Sequence, residues 1–479
     1  MANDRRFEFG AIKLDVGLGS EPAAEPTPND PFGVVILGDF SGRGSRSDAL
    51  VGRSPVKIDR DNFDEVLRLL APELELPGAG RIAISELDDF HPDRLFEHQP
   101  FFAPLREARR SGGGPAPAAP SAKTRPATSS PPPASLLSGS LLESVVQATE
   151  GSNQSQAPSD PLRVWIDQQV VPHVIPAASA ADSEREALVD RDLAAQMRAV
   201  LHAPPFQSLE ALWRGIYFLA RRTDTDGPVS LWLADITLDE LARDFASVSA
   251  VADLPVYRSI SSKRPALLIG AFGLGVTDAD LATLAGLGAL GAALSASCLT
   301  GAQPQWIGCE RYEALGSPRE WASTRAEAEM FRSSAAARHA GLAAPRFLLR
   351  LPYGSKTDAC ESFPFEEMGD AFEHDRLLWG NSAILCACLL AESFNEDGWD
   401  LRPGTRSNVD GLPVYIHDSD GETVAQPCAE TIMTDQAARA MMERGVMCIA
   451  SLQGSDAVHL VRFQNVAAPA GPLAGPWSK

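Results

Sequence analysis

From Ser111 to Ser135 the chain reads SGGGPAPAAPSAKTRPATSSPPPAS, 25 residues with almost no large apolar side chain. Such a stretch cannot bury enough surface to offset the entropy of ordering it, so it reads as a linker. As a flexible coil it spans roughly 25–30 Å, and up to about 75 Å where prolines hold it extended. Either length permits binding to a neighbouring subunit. The chain is thereby expected to divide into residues 1–110, the linker 111–135, a short amphipathic segment 136–151 and a large part 152–479.

The 479 residues leave room for two or three cores, and 44% hydrophobic with 22% charged residues is ordinary for a globular protein. Against 42 basic side chains stand 63 acidic ones, a net charge of −21 that repels phosphate backbones and anionic lipid alike. Nucleic acid is therefore not an expected partner. The opening MANDRRFEFG lacks the apolar run of a secretory signal, and a cytoplasmic location is expected. Leu281 to Cys309 carries no charge and is long enough in principle to cross a bilayer. Its leucines form one helical stripe among glycines and alanines, without basic flanks or an aromatic belt, so it is expected to be a buried helix with no membrane insertion. The seven cysteines fall in neither a Cys-x-x-Cys pair nor an even disulfide framework and read as buried free thiols.

Before the linker, PFGVVILGDFSG predicts a buried strand over Val34–Leu37 ending in a turn at Gly38, Ser41 and Gly42. A helix follows, with Asp61 able to cap it and Phe63, Val66, Leu67 and Leu70 on its apolar face. A second strand is expected over Ile82–Leu87. Beyond the linker, SLLSGSLLESVVQATEG is an amphipathic island whose Leu141, Leu142, Val145 and Val146 need a partner. It is expected either to dock on another protein or to fold back on its own chain. From Pro161 on, Leu193, Met197 and Val200 mark one helix, and Phe206, Leu209, Trp213, Ile216 and Leu219 another. Between and after these come the strand-like runs VSLWLADI, ALLIGAFGL, PRFLLRLPY, GLPVYIHD, GVMCIASL and AVHLVRFQ. The fold class is α/β, with mixed sheets flanked by helices.

Motifs for chemistry are missing. Gly38–Ser45 lacks the Gly-Lys-Ser/Thr ending of a phosphate loop, and Gly270, Gly273 and Gly275 lack the third spaced glycine of a dinucleotide fingerprint. No histidine pair has zinc spacing; His417 beside Asp418 and Asp420 reads as a solvated turn. Adjacent carboxylates such as Glu366 and Glu367 define no catalytic geometry from sequence. No catalytic, metal-binding or cofactor-binding residue is assigned, and no cofactor is expected. A hydrolase using His417 or Glu366 is the weakest reading. Asn381 is a candidate N-cap for SAILCACLLAESF, and the mid-helix Gly215 suggests close packing against another backbone.

Taken in order, these segments resemble the two subunits of the type VI secretion contractile sheath, TssB (VipA) and TssC (VipB), joined in one chain. VVILGDFSGR, KIDRDNFDEVLRLLAPEL and ELDDFHPDRLF resemble the small subunit over about Phe32–Arg110. PPFQSLEALWRGIYFLA, LAAPRFLLRLPYGSKTDACESFPFEE, LWGNSAILCACLLAESFNEDGW and AETIMTDQAARAMMERGVMCIASLQGSDA resemble the large subunit over about Val164–Phe463. The resemblance implies a phage-tail-sheath-like architecture and a structural, non-enzymatic role: polymerising around an inner tube of Hcp-like protein, docking on a baseplate, and contracting. It implies strands lent between protomers, with Val164, Ile449, Leu460 and Val461 as candidates, and a helix gripped by the AAA+ unfoldase ClpV through Leu141, Leu142, Val145 and Val146. The small-subunit-like part meets the linker at Ser111, which leaves a second reading: an accessory paralogue or adaptor that caps or modifies a sheath of separate subunits.

Overall fold

Phe32–Gly38 is seven consecutive buried residues, a pattern that fits a strand covered on both faces in a parallel sheet. It forms strand β1 of the computed structural model, which describes residues 6–9, 12–15, 26–44, 50, 52–110, 180–313, 315–369, 371–419 and 421–477. The other strands of its sheet are β2 (Val56–Ile58), β3 (Val229–Asp235), β4 (Pro265–Leu274), β5 (Ser297–Ala302), β6 (Ala340–Ala344), β7 (Asn408–Val409), β8 (Val446–Ser451) and β9 (Val458–Leu460). Their spatial order is β7-β9-β8-β6-β5-β4-β1-β3-β2. The run from β8 through β3 is parallel. The outer strands β9, β7 and β2 are antiparallel to their neighbours.

β1 comes from the small-subunit-like segment, yet it pairs on both sides with strands from the large-subunit-like segment. Ile36 is in register with Leu233 of β3 and with Ile269 of β4. By contacts the chain forms two units: residues 1–103 with 190–479, and residues 104–189. In the first, both sheath-like segments share one sheet. In the second, the described structure is helix Ala103–Arg110 and the first turns of a helix that runs from Ala180 to Leu201.

The helices among the described residues include α1 (Phe63–Leu70), α2 (Pro92–His98), α3 (Ala180–Leu201), α4 (Pro204–Arg222), α5 (Leu238–Ser247), α6 (Asp278–Leu294), α7 (Ser382–Asp397) and α8 (Asp435–Glu443). Val35 and Leu37 of β1 and Leu268 of β4 join a cluster with Phe245 of α5 and Leu281, Leu284 and Leu287 of α6. α6 starts at a capping box in which Thr277 and Asp280 exchange hydrogen bonds. Its glycines set how closely neighbours approach: a Cβ on Gly288 would lie 2.4 Å from the Ala336 carbonyl oxygen, and one on Gly286 would lie 2.2 Å from the Phe245 ring. α7 lies against α4 and the central strands, and a Cβ on Gly215 of α4 would lie 2.7 Å from Ile384 Cδ1. Close approach at Gly215 is thus to a side chain of α7 and not to the other backbone that the sequence suggests.

Several local expectations are corrected. Residues Leu281–Cys309 are not one helix: α6 ends at Ser295, whose φ of 53° is left-handed, and β5 follows at once. An apolar run buried in a sheet layer looks alike as helix or strand, and the left-handed break carries no glycine signal. The second strand expected over Ile82–Leu87 ends at Ala83, in a hairpin of Glu73–Leu76 with Gly80–Ala83. Asp89 then accepts hydrogen bonds from the Ser85 and Glu86 amides at 2.7 and 3.0 Å, turning Leu87–Phe90 into a 3-10 turn. PRFLLRLPY contributes only Phe347–Leu348 as strand. At α1 the position before the helix is Asn62, without a side-chain cap, while Asp59 accepts from the Asp61 and Asn62 amides. No helix among the described residues is long and apolar enough to cross a membrane.

Candidate functional site

The seam between the two sheath-like segments is continuous and specific. Trp213 Nε1 donates to the Phe40 carbonyl at 3.0 Å, and Phe40 and Phe63 meet the Trp213 ring edge-on at 5.6 and 5.8 Å. Asp235, at the end of β3, accepts from the Ser41 amide and hydroxyl. Arg53 makes a forked pair with the buried Glu240 at 3.1 and 2.8 Å. Asp93 accepts from the Glu361 and Ser362 amides, both at 2.9 Å. Phe32 packs among Phe394, Trp399 and Trp477, and Trp399 Nε1 donates to the Asp30 carbonyl. The GDFSGRG turn thus serves as a joint: Asp39 accepts from the Gly44 amide at 3.0 Å and its neighbours are taken by β3 and α4.

Beside this seam lies a buried ion-pair network. Arg350 holds Glu210 of α4 at 2.7 Å and Glu367 at 2.7 Å, and both carboxylates are essentially inaccessible. Arg214 pairs with Glu210 at 2.7 Å and donates to Tyr353 Oη at 2.9 Å. The Arg350 guanidinium also stacks 4.1 Å over the Tyr353 ring. Burial opposes the charge on Glu367, but Arg350, His202 and the Tyr353 amide more than offset it and hold the carboxyl at about 2. Burial likewise works against Arg350, yet Glu210 and Glu367 hold its proton more tightly than usual. Buried pairs of this kind bring little net stability, but losing one partner strands a charge, so the network fixes geometry. Glu366, Glu367's neighbour, accepts from Ser355 and forms no acid–base pair with His417.

At the other end of the sheet, Ile449 and Leu460 are register partners of β8 and β9 and are both buried. The Val461 amide donates to the Cys448 carbonyl at 2.9 Å. Among the described residues, β9 is paired on its outer side with the two-residue β7, and the Ser407 carbonyl accepts the Leu460 amide. That short edge limits exposed main chain. Nearby, Tyr415–Ser419 and Glu422–Gln426 form a separate hairpin with Ile416 and Val424 exposed. His417 sits in it, stacked on Phe372 at 3.9 Å. Val164, Leu141, Leu142, Val145 and Val146 lie outside the described residues.

Asn381 caps α7 by accepting from the Ala383 amide at 2.9 Å and also donates to the Phe272 carbonyl. All seven cysteines are free, five of them buried. Sequence reading missed the Arg350 network; its only signal was an arginine in the apolar run PRFLLRLPY.

Comparison with known proteins decides the family. Residues 184–466 match the VipB family, described as EvpB/VC_A0108, tail sheath N-terminal domain. The chain belongs to the VipB tail sheath family. Residues 12–111 match a second family, T6SS_VipA, described as Type VI secretion system, VipA, VC_A0107 or Hcp2. This VipB-family chain thus carries a VipA-like segment ahead of its VipB-like one. Among curated proteins it is 28% identical over 303 residues to the type VI secretion system sheath protein TssC1 of Pseudomonas aeruginosa, covering 59% of this chain and 61% of that relative. The chain therefore spans less than two thirds of the relative's length.

Proposed function

We propose that this chain is a structural subunit of a type VI secretion contractile sheath, polymerising in the cytoplasm around an inner tube and contracting to propel it. The observation that carries this reading is β1. A strand of VipA-like sequence sits inside a VipB-like sheet, paired on both sides. One polypeptide then supplies both sheath parts in equal number, with a tether that keeps them at about millimolar mutual concentration. No bond in a substrate is made or broken; the work is conformational.

Assembly proceeds by strands lent between copies, with the main chain giving affinity and alternating side chains giving register. Val164, Ile449, Leu460 and Val461 are the positions proposed to take part. An Hcp-like inner tube, a baseplate and the ClpV unfoldase are the proposed partners, the last gripping Leu141, Leu142, Val145 and Val146.

Electron microscopy of the purified chain, with and without inner-tube protein, tests the reading. Long hollow polymers are expected. A chain that stays monomeric under every condition and co-purifies with no tube component overturns it, and a soluble heteromer with separate sheath subunits points to an accessory paralogue. A peptide of residues 136–151 is expected to bind the N-terminal domain of the unfoldase; no binding removes that assignment.

A further inference from the structure

Glu313, His374 and Asp375 converge beside a cavity of about 430 Å³ whose walls include His374, Glu313, Glu430 and Ile432. The His374 ring is held firmly: Nε2 lies 2.9 Å from the Glu430 carbonyl oxygen, and the ring packs 4.9 Å from that of Trp379. A carbonyl only accepts, so Nε2 carries a proton and Nδ1 presents its lone pair in the neutral ring. That Nδ1 is buried and has no hydrogen-bond partner, yet it lies 2.9 Å from Glu313 Oε2 and 3.9 Å from Asp375 Oδ1. Three electron-rich side chains thus offer ligand atoms that lie within 4.8 Å of one another.

The outward oxygens of the same carboxylates are engaged by a single guanidinium. Arg311 pairs with Glu313 Oε1 at 2.9 Å and with Asp375 Oδ2. It leaves Oε2 and Oδ1 turned inward, as outer partners orient the ligands of a metal centre. Adjacent ligand atoms around a small divalent ion at about 2.1 Å stand roughly 3 Å apart, the spacing found between Nδ1 and Oε2. With Arg311 included, the four side chains carry a formal charge of −1 when His374 is neutral, which a divalent ion reverses.

We infer that Glu313 Oε2, His374 Nδ1 and Asp375 Oδ1 form a binding site for a divalent transition-metal cation, with water completing its shell. Mixed imidazole and carboxylate donors suit Zn²⁺ or Mn²⁺ better than Ca²⁺. The bound ion ties the segment at Glu313 to the 3-10 turn His374–Arg376. This goes beyond the sheath reading and does not depend on it. A second convergence, His91 with Asp93 and Cys360, carries less. His91 Nδ1 already accepts the Asp93 amide, and both Asp93 oxygens accept backbone amides.

The test is calorimetric titration of the metal-stripped full chain with ZnCl₂ and MnCl₂, paired with thermal denaturation. One saturable equivalent and a rise in melting temperature are expected. Glu313→Gln and Asp375→Asn, both on exposed residues that leave the core intact, are each expected to weaken binding at least tenfold. Cys360→Ser is expected to leave it unchanged. Absence of saturable binding by the wild-type chain overturns the proposal. So does binding that survives Glu313→Gln and Asp375→Asn but is lost in Cys360→Ser.

Discussion

Trp213 and Phe40 stand 173 positions apart in the chain, yet the indole N–H of one donates to the carbonyl of the other at 3.0 Å in a buried setting. The bond joins the VipB-like helix α4 to the turn that ends the VipA-like strand β1. Trp213→Phe keeps most of the ring packing and strands a buried acceptor. It is expected to cost about 1–3 kcal/mol, read as a lower urea midpoint with little change in slope.

Removing the central cation of the ion-pair network should cost more. Arg350→Met leaves the buried Glu210 with Arg214 as its cation and the buried Glu367 with only His202 and the Tyr353 amide, and a loss of about 3–5 kcal/mol is expected. The double variant Arg350→Met, Glu367→Gln is expected to recover part of it. Denaturation of the three proteins side by side checks this, and equal stability of single and double variants contradicts it.

The same network predicts a pH response. Glu367 has a folded-state pKa of about 2, below the ordinary 4.5. A depressed carboxylate contributes stability that is present above its unfolded value and lost as pH falls through the folded one. Stability should therefore decline between about pH 4.5 and 2, and Glu367→Gln should flatten that limb while lowering stability at neutral pH. Melting curves across this range, wild type against variant, provide the measurement.

Two glycines should respond differently to a methyl group. At Gly288 the added Cβ meets a backbone carbonyl oxygen at 2.4 Å, whereas at Gly215 it meets the terminal methyl of Ile384 at 2.7 Å. Backbone cannot move aside cheaply and a rotamer can. Gly288→Ala is expected to lose about 1–3 kcal/mol or fail to fold, and Gly215→Ala to lose less, as read by soluble yield and melting temperature.

Thiol reactivity offers a simple check of packing. Burial pushes the thiols of Cys298, Cys386 and Cys448 up to about 12, so little reactive thiolate exists near pH 8. Burial, with Asp93 and Asp358 nearby, does the same for the partly exposed Cys360. Slow labelling by a thiol reagent is expected in the native chain, with all seven sites reacting in denaturant. Fast labelling at Cys386 would contradict the burial of α7.

Some of this was legible in the residues. β1 declared itself as an apolar run bounded by Pro31 and the GDFSG turn, and α4 by its apolar spacing from Phe206 to Leu219. Asn381 was readable as a cap because capping is local. β5 and β6 were not singled out, since SCLTGA and AGLAA carry few β-branched residues and owe their strand state to pairing with neighbours. The Arg350 network was invisible because Glu210, Arg350 and Glu367 lie far apart in the chain and nothing in their spacing links them.

By itself the sequence determined the α/β class, the main helices and the sheath-like order of segments, all consequences of local apolar periodicity and composition. Only the tertiary structure decided that β1 lies between β3 and β4, so that the VipA-like and VipB-like segments share one sheet. That choice rests on main-chain hydrogen bonds and side-chain packing between residues nearly two hundred positions apart, such as Val34 opposite Leu231. Sequence spacing carries no record of it, because pairing energy depends on which faces meet after the chain has folded back on itself.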